Sequence, residues 1–366
     1  MKNKSKVLTL IIGISIFLIT LLCWTFPKQE YSESERRPLA EKPELSIGTI
    51  LSGEFMEGFE KYVVDHFPKR DNFRRVKALF SEYVFNKKDN NSLYFADGHI
   101  SKIEYPENIE MLDHAQERFD FLYDSYLKDK NVNVYLSIIP DKNYFLAEKN
   151  GYLSIDYDEF IESFKNRVDY MNYIDLVPLL SIDDFYRTDS HWKQENIVDI
   201  AEFVAESMGT QAKSQYTVNT LEKPFSGVYL GQSALPVEPD TIKYLTNDIL
   251  DSCKVNYYDT GMAVSGDIYN MEKAMGKDPY EMFLSGTTPL VTIENEKASS
   301  EKELVVFRDS YASSLVPLLV PGYSKITVVD IRYMQSNFVG NFIDFDNQDV
   351  YFMYSTTLLN NSLAMH

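Results

Sequence analysis

Two short stretches hold the residue types of nucleophilic catalysis. Asp189 stands two residues before His191 in Tyr186-Arg187-Thr188-Asp189-Ser190-His191-Trp192. Ser310 lies far downstream in Val305-Val306-Phe307-Arg308-Asp309-Ser310-Tyr311. A serine hydroxyl is a weak nucleophile at neutral pH. It needs a base within hydrogen-bond reach, and an imidazole base needs an acid to hold its tautomer. The functional question posed by the sequence is whether the Asp/His pair meets Ser310.

Each stretch has a plainer reading. Asp309 and Ser310 are common helix-capping residues, and so are Asp189 and Ser190, which would leave His191 on a surface first turn. Asp and His also bind zinc, but no His-x-x-x-His set accompanies them, and His66, His99, His114 and His366 are scattered along the chain. No metal is expected.

The elements that would position these residues can be read from periodicity. Residues 303–307 form an apolar strand, and 311–320 form a helix, so Ser310 sits at a strand-to-helix turn. There a nucleophile is exposed, and the N–H of Ser310 or Tyr311 can face an oxyanion. Residues 132–139, 326–329 and 350–354 read as further strands, 173–176 as a short one. Helical stripes run through Leu112, Ala115, Phe119, Leu122 and Tyr126, through Ile161, Phe164, Val168 and Met171, and through Ile197, Ile200, Val204 and Met208, the last closed by Gly209. Strands alternating with helices predict an α/β fold around a mostly parallel sheet. The stretch 216–293 is rich in Tyr, Thr, Gly and Pro, with short runs at 227–230 and 255–258, and reads as a β-rich insertion or a set of surface loops. Phe55, Phe59, Tyr62 and Val63 share one helical face. Val76, Leu79, Phe80 and Tyr83 share another, on a helix that Asp71 can cap. Both faces are expected in the core.

Composition narrows the function classes. The net charge of −19 argues against nucleic acid, whose phosphates would be repelled. Two cysteines, Cys23 and Cys253, build neither a disulfide framework nor a thiolate metal site. Lys2, Lys4 and Lys6 precede an uncharged run, residues 7–26. Roughly 20 residues at about 1.5 Å rise each cross a hydrocarbon core of about 30 Å. The lysines place the N-terminus in the cytoplasm. A cleaved signal peptide is the rival reading, but no small-x-small site follows the run. The expected organisation is a cytoplasmic tip at 1–6, a single-pass anchor at 7–26, a Pro-containing linker at 27–46, and an extracytoplasmic domain over 47–366.

The stretch 186–192 resembles the signature of the DHHW proteins, relatives of polysaccharide O-acetylation proteins of the AlgX/AlgJ type. Ser34-Glu35-Arg36-Arg37-Pro38-Leu39, Ser52-Gly53-Glu54-Phe55, Asp65-His66-Phe67-Pro68-Lys69-Arg70, Pro224-Phe225-Ser226-Gly227, Phe283-Leu284-Ser285-Gly286 and Asp330-Ile331-Arg332-Tyr333 extend the resemblance over nearly the whole chain. It implies a circularly permuted SGNH-hydrolase-like domain, in which the Asp/His block precedes the serine block. It also implies a triad of Ser310 as nucleophile, His191 as base and Asp189 as its orienter. Gly286 joins Tyr311 as an oxyanion candidate, and Arg332 and Tyr186 are substrate-binding candidates. Two positions depart from the family pattern: Ser190 replaces a second histidine, and Arg308 replaces the glycine two before the nucleophile. The resemblance implies O-acyl, above all O-acetyl, transfer to or from an exported cell-surface polysaccharide. A multipass membrane acyltransferase would act as donor, and no cofactor is needed. A non-catalytic polysaccharide-binding scaffold and a simple carbohydrate esterase are the alternatives.

Overall fold

The computed structural model describes residues 2–85 and 87–366; of residues 2–5, 24 and 83 it describes the backbone only. The side chains of Lys2, Lys4 and Tyr83, invoked above, therefore lie outside the described residues. The chain forms two compact units, Met1–Asn91 with Leu230–Val237, and Ser92–Tyr229 with Glu238–His366.

The first unit begins with helix α1 (Lys2–Thr25). Its stretch Lys6–Cys23 has mean hydropathy 2.5, with none of it buried, and it is long and apolar enough to cross a membrane. Helices α2 (Glu54–Asp65) and α3 (Arg70–Leu79) follow. Two of the sequence motifs meet here. Arg37 grips Asp65 with two hydrogen bonds of 2.6 and 2.8 Å, and Arg70 reaches Glu35 at 2.6 Å. The Arg37 fork holds the Asp65 carboxyl down at about 2. Two expectations fail in this unit. The N-cap of α3 is Lys69, at φ 54°, and Asp71 sits inside the first turn, where it pairs with Arg74. The apolar stripes are not core: Phe59, Val63, Val76, Leu79 and Phe80 are exposed.

The second unit is built on an eight-stranded sheet of β1 (Asn133–Ile139), β2 (Asn172–Tyr173), β3 (Lys254–Tyr257), β4 (Val264–Gly266), β5 (Leu290–Glu294), β6 (Glu303–Arg308), β7 (Lys325–Val329) and β8 (Asp349–Ser355). The spatial order is β4-β3-β5-β7-β6-β8-β1-β2. The pairings from β7 across to β2 are parallel, and those from β4 to β7 are antiparallel. The α/β fold around a mostly parallel sheet expected from the sequence is the one observed. Strand alternation feeds two cores. Leu304 and Val306 pack on one face with helices α4 (Val198–Ser207) and α5 (Ala312–Leu319); Val305 and Phe307 pack on the other with the helices Ile109–Leu122 and Tyr157–Arg167.

The stretch 216–293 holds a separate antiparallel ribbon, Thr217–Phe225 with Asp240–Thr246, while its strands β3, β4 and β5 extend the main sheet as its antiparallel side. Of the short run at 227–230, residues 228–230 open a short helix, Val228–Ser233.

Candidate active site

Strand β6 lies inside the parallel part of the sheet, between β7 and β8, and its C-terminal end delivers Asp309 and Ser310. In open α/β sheets this is the edge where sites form. The turn is stapled by Asp309, whose carboxylate accepts from the Tyr311 N–H at 3.0 Å and from the Ser355 N–H at 2.8 Å. Ser310 is not a cap: helix α5 has no side-chain cap bond, and Ser310 Oγ lies 2.8 Å from His191 Nε2.

The Asp/His stretch is a tight loop closed on itself. Phe185 and Trp192 form an antiparallel bridge, and the Tyr186 N–H donates to the His191 carbonyl at 3.0 Å. This closure puts Asp189 and His191 on one side of the loop. His191 Nδ1 lies 2.6 Å from Asp189 Oδ1. Asp189 is fully buried and His191 is 14% exposed. With the buried carboxylate accepting at Nδ1, the proton sits there, and Nε2 is left to accept from the serine hydroxyl. The second oxygen of Asp189 accepts from the Val228 N–H at 2.8 Å.

Trp192 ties the two halves together. Its indole N–H donates to the Tyr311 carbonyl at 3.0 Å and to Ser314 Oγ at 2.9 Å, both around the start of α5. Tyr311 returns the contact, its hydroxyl donating to the Ser190 carbonyl at 2.7 Å. Position 190 thus contributes its backbone, which is why a serine can stand there.

The other sequence candidates fall elsewhere. The Tyr311 N–H is committed to Asp309, and the Gly286 N–H to the Phe283 carbonyl at 3.0 Å, so neither is free to hold an oxyanion in this arrangement. Among the described residues, the Ser310 N–H has no acceptor. Gly286 instead ends a left-handed run, Leu284 at φ 49°, Ser285 at 54° and Gly286 at 66°. Arg308 braces that run. Its guanidinium donates to the Gly286 carbonyl and to Ser313 Oγ, each at 2.8 Å, and its Nε faces Asp330 at 3.7 Å. Arg308 is buried, and its departure from the family glycine is therefore a scaffold feature. Arg332 makes a two-point pair with Asp330 at 2.8 and 2.6 Å. Tyr186 is fully buried against Phe225 and Tyr280 and presents no surface to a substrate.

Three contributors escaped the sequence reading. Tyr280 stacks on His191 with ring centres 3.9 Å apart and planes 10° apart, anchored by its hydroxyl to Ser314 at 2.9 Å. Asp240 clamps the loop from behind, accepting the Thr188 N–H at 2.7 Å. Lys142, the first residue of the helix Lys142–Asn150 that follows β1, is buried and donates to the carbonyls of Tyr186 and Arg187 at 2.9 and 3.2 Å. Burial pushes its ammonium down to about 7, while Asp189, Asp240 and Asp141 oppose that fall. No sequence signal marked Lys142, because a lysine after a strand ordinarily faces water.

Neither a family model nor a curated protein matches the chain. Solved structures do. A DHHW family protein from Eubacterium siraeum superposes with TM-score 0.58 at 21% identity, covering 75% of this chain and 94% of that one. The chain has the fold of a DHHW family protein. PatB1 of Bacillus cereus, solved with a sulfonyl adduct, matches at TM-score 0.60 and 19% identity, over 73% of this chain and 95% of that one. A weaker likeness, TM-score 0.43 at 13% identity, is to the O-acetyltransferase domain of Pseudomonas putida AlgJ, over 74% of this chain and 92% of that one.

Two variants test how this DHHW-like loop is held. A Cβ on Gly227 would fall 2.2 Å from the Thr188 carbonyl oxygen and 2.5 Å from Asp189 Cβ. Gly227→Ala should therefore displace Asp189 and cut serine-dependent turnover about 100-fold, with the far-UV circular dichroism unchanged. Unaltered turnover would mean that the Asp189 position does not matter. Lys142 gives a pH test. Its folded-state value is lowered from 10.5 to about 7, so the unfolded chain binds the extra proton between those values. Stability then rises with pH across that window, by up to about 1.4 kcal/mol per pH unit. Below about pH 7 both states are protonated and the dependence vanishes. Urea unfolding of the wild type against Lys142→Met should show this slope only in the wild type; parallel curves would contradict it.

Proposed function

We propose that this protein is a serine-dependent O-acyl transferase, acting with acetyl groups on an exported cell-surface polysaccharide. The single observation that carries the reading is the continuous chain Asp189–His191–Ser310, with links of 2.6 and 2.8 Å at the end of a central strand. Ser310 Oγ attacks the acyl carbonyl as its proton passes to His191 Nε2, and the Asp189 carboxylate stabilises the imidazolium that forms. The oxyanion takes the Ser310 N–H, the backbone donor at the turn with no acceptor among the described residues. Collapse expels the donor alkoxide, which receives the proton from His191, and leaves an acyl-serine. A sugar hydroxyl then loses its proton to His191 as it attacks the ester carbonyl; the acyl–Oγ bond breaks, and Ser310 Oγ takes that proton back from His191.

The substrate class rests on the sequence resemblance to polysaccharide O-acetylation proteins and on the membrane-length helix α1. In this reading α1 anchors the chain, with the catalytic unit outside the cytoplasmic membrane. A multipass membrane acyltransferase supplies the acetyl group. The sulfonyl adduct of PatB1 supports the choice of chemistry, since sulfonyl groups transfer to activated nucleophiles.

Turnover of an activated acetyl ester by the full chain in detergent tests the assignment. Ser310→Ala and His191→Ala should each lose about 1,000-fold or more, and the double variant no more than either single one. Equal turnover in wild type and Ser310→Ala would end the proposal. With an oligosaccharide acceptor present, acetyl groups should appear on the sugar. Release to water alone would favour a carbohydrate esterase.

A further inference from the structure

Helix α3 and the turn after it are built inside out. The face turned into the first unit carries Arg74, Ala78 and Ser81; Arg74 is bonded to the Gly231 and Gln232 carbonyls at 2.9 and 3.0 Å, and Ala78 is fully buried. The opposite face carries Phe73, Val76 and Phe80 at i, i+3 and i+7, with exposures of 59%, 50% and 52%. Val84 and Phe85 continue it at 62% and 68%. Single exposed apolar residues are ordinary; a contiguous aromatic stripe of this kind marks a covered surface.

Charge identifies the cover. The whole chain carries −19, yet residues 69–85 hold Lys69, Arg70, Arg74, Arg75 and Lys77 against two acids, Asp71 and Glu82. Arg70 and Arg74 are paired internally. Lys69, Arg75 and Lys77 are exposed and have no acidic partner among the described residues. Lys69 and Lys77 stand four residues either side of Phe73, so they flank the apolar stripe. An apolar stripe bordered by lysines suits the boundary between acyl chains and anionic headgroups: the rings enter the boundary, and the ammoniums reach back to phosphate. The same compact unit also contains α1.

We propose that residues 69–85 lie on the surface of the membrane that α1 enters, bound to anionic phospholipid. This rests on reading α1 as a membrane anchor. The site is peripheral, shallow and salt-sensitive, unlike the span itself.

The test uses the full chain with Cys23→Ser, Cys253→Ser and Val76→Cys, labelled at residue 76 with an environment-sensitive fluorophore. The labelled chain is incorporated into phosphatidylcholine vesicles with and without phosphatidylglycerol. Flotation reports the anchor; quenching by nitroxide-labelled lipid reports contact at residue 76. The expected result is flotation in both vesicle types, with blue-shifted, lipid-quenched emission in the anionic ones that salt reverses. Lys69→Ala and Lys77→Ala should each lower the ratio of lipid-bound to free label about five-fold. A chain that floats with a water-like, unquenched label overturns the surface proposal and leaves the anchor standing. So does contact that appears only in native membranes, which would assign the stripe to a protein partner. A chain that does not float overturns both.

Discussion

The buried carboxylate of Asp189 is the interaction on which the site depends. It is sealed from solvent, so each oxygen needs a donor within the fold. One takes His191 Nδ1, and the other takes the Val228 N–H. That requirement explains Gly227, whose missing side chain lets the Val228 backbone approach. It also explains the buried lysine beneath the loop, since the Lys142 ammonium offsets negative charge from Asp189 and Asp240 where solvent cannot. Once the carboxylate is fixed, the imidazole has one orientation and one tautomer, and its free nitrogen points at Ser310.

His191 and Ser310 are 119 residues apart in sequence, and a tryptophan joins the stretches that hold them. Trp192 is a neighbour of His191, and its indole N–H is bonded at the start of the helix that follows Ser310. The loop and the serine turn are therefore tied directly to each other. Arg308 does the same on the other flank, clamping the 284–286 turn to the serine turn through Gly286 and Ser313. The residue that departed most visibly from the family pattern is thus a buried brace. Its fork of donors is suited to holding a carbonyl and a hydroxyl together.

What the sequence revealed follows from which physical signals are local. The strands around 303–308, 325–329 and 349–355 were legible as apolar runs because both faces of a central parallel strand are buried. The Asp189, His191 and Ser310 candidates were legible because their residue types and flanking elements are local. The ribbon of 217–225 with 240–246 was not, since its polar alternation resembles loop sequence. Lys142, Tyr280 and Asp240 were invisible for another reason: each acts only through a long-range contact. The oxyanion donors failed for a third reason. The N–H groups of Tyr311 and Gly286 are committed to Asp309 and Phe283, pairings that residue type does not reveal. The apolar stripe of α3 was read as core because periodicity reports a face and not what covers it.

The central claim is that Ser310 is an activated nucleophile. It is tested most directly by treating the full chain with a sulfonyl fluoride or an activated acetyl ester and mapping the adduct by peptide mass spectrometry. The account predicts one adduct on Ser310, abolished in Ser310→Ala and strongly slowed in His191→Ala. An unmodified Ser310 in the folded protein, or labelling at the same rate without His191, would contradict it.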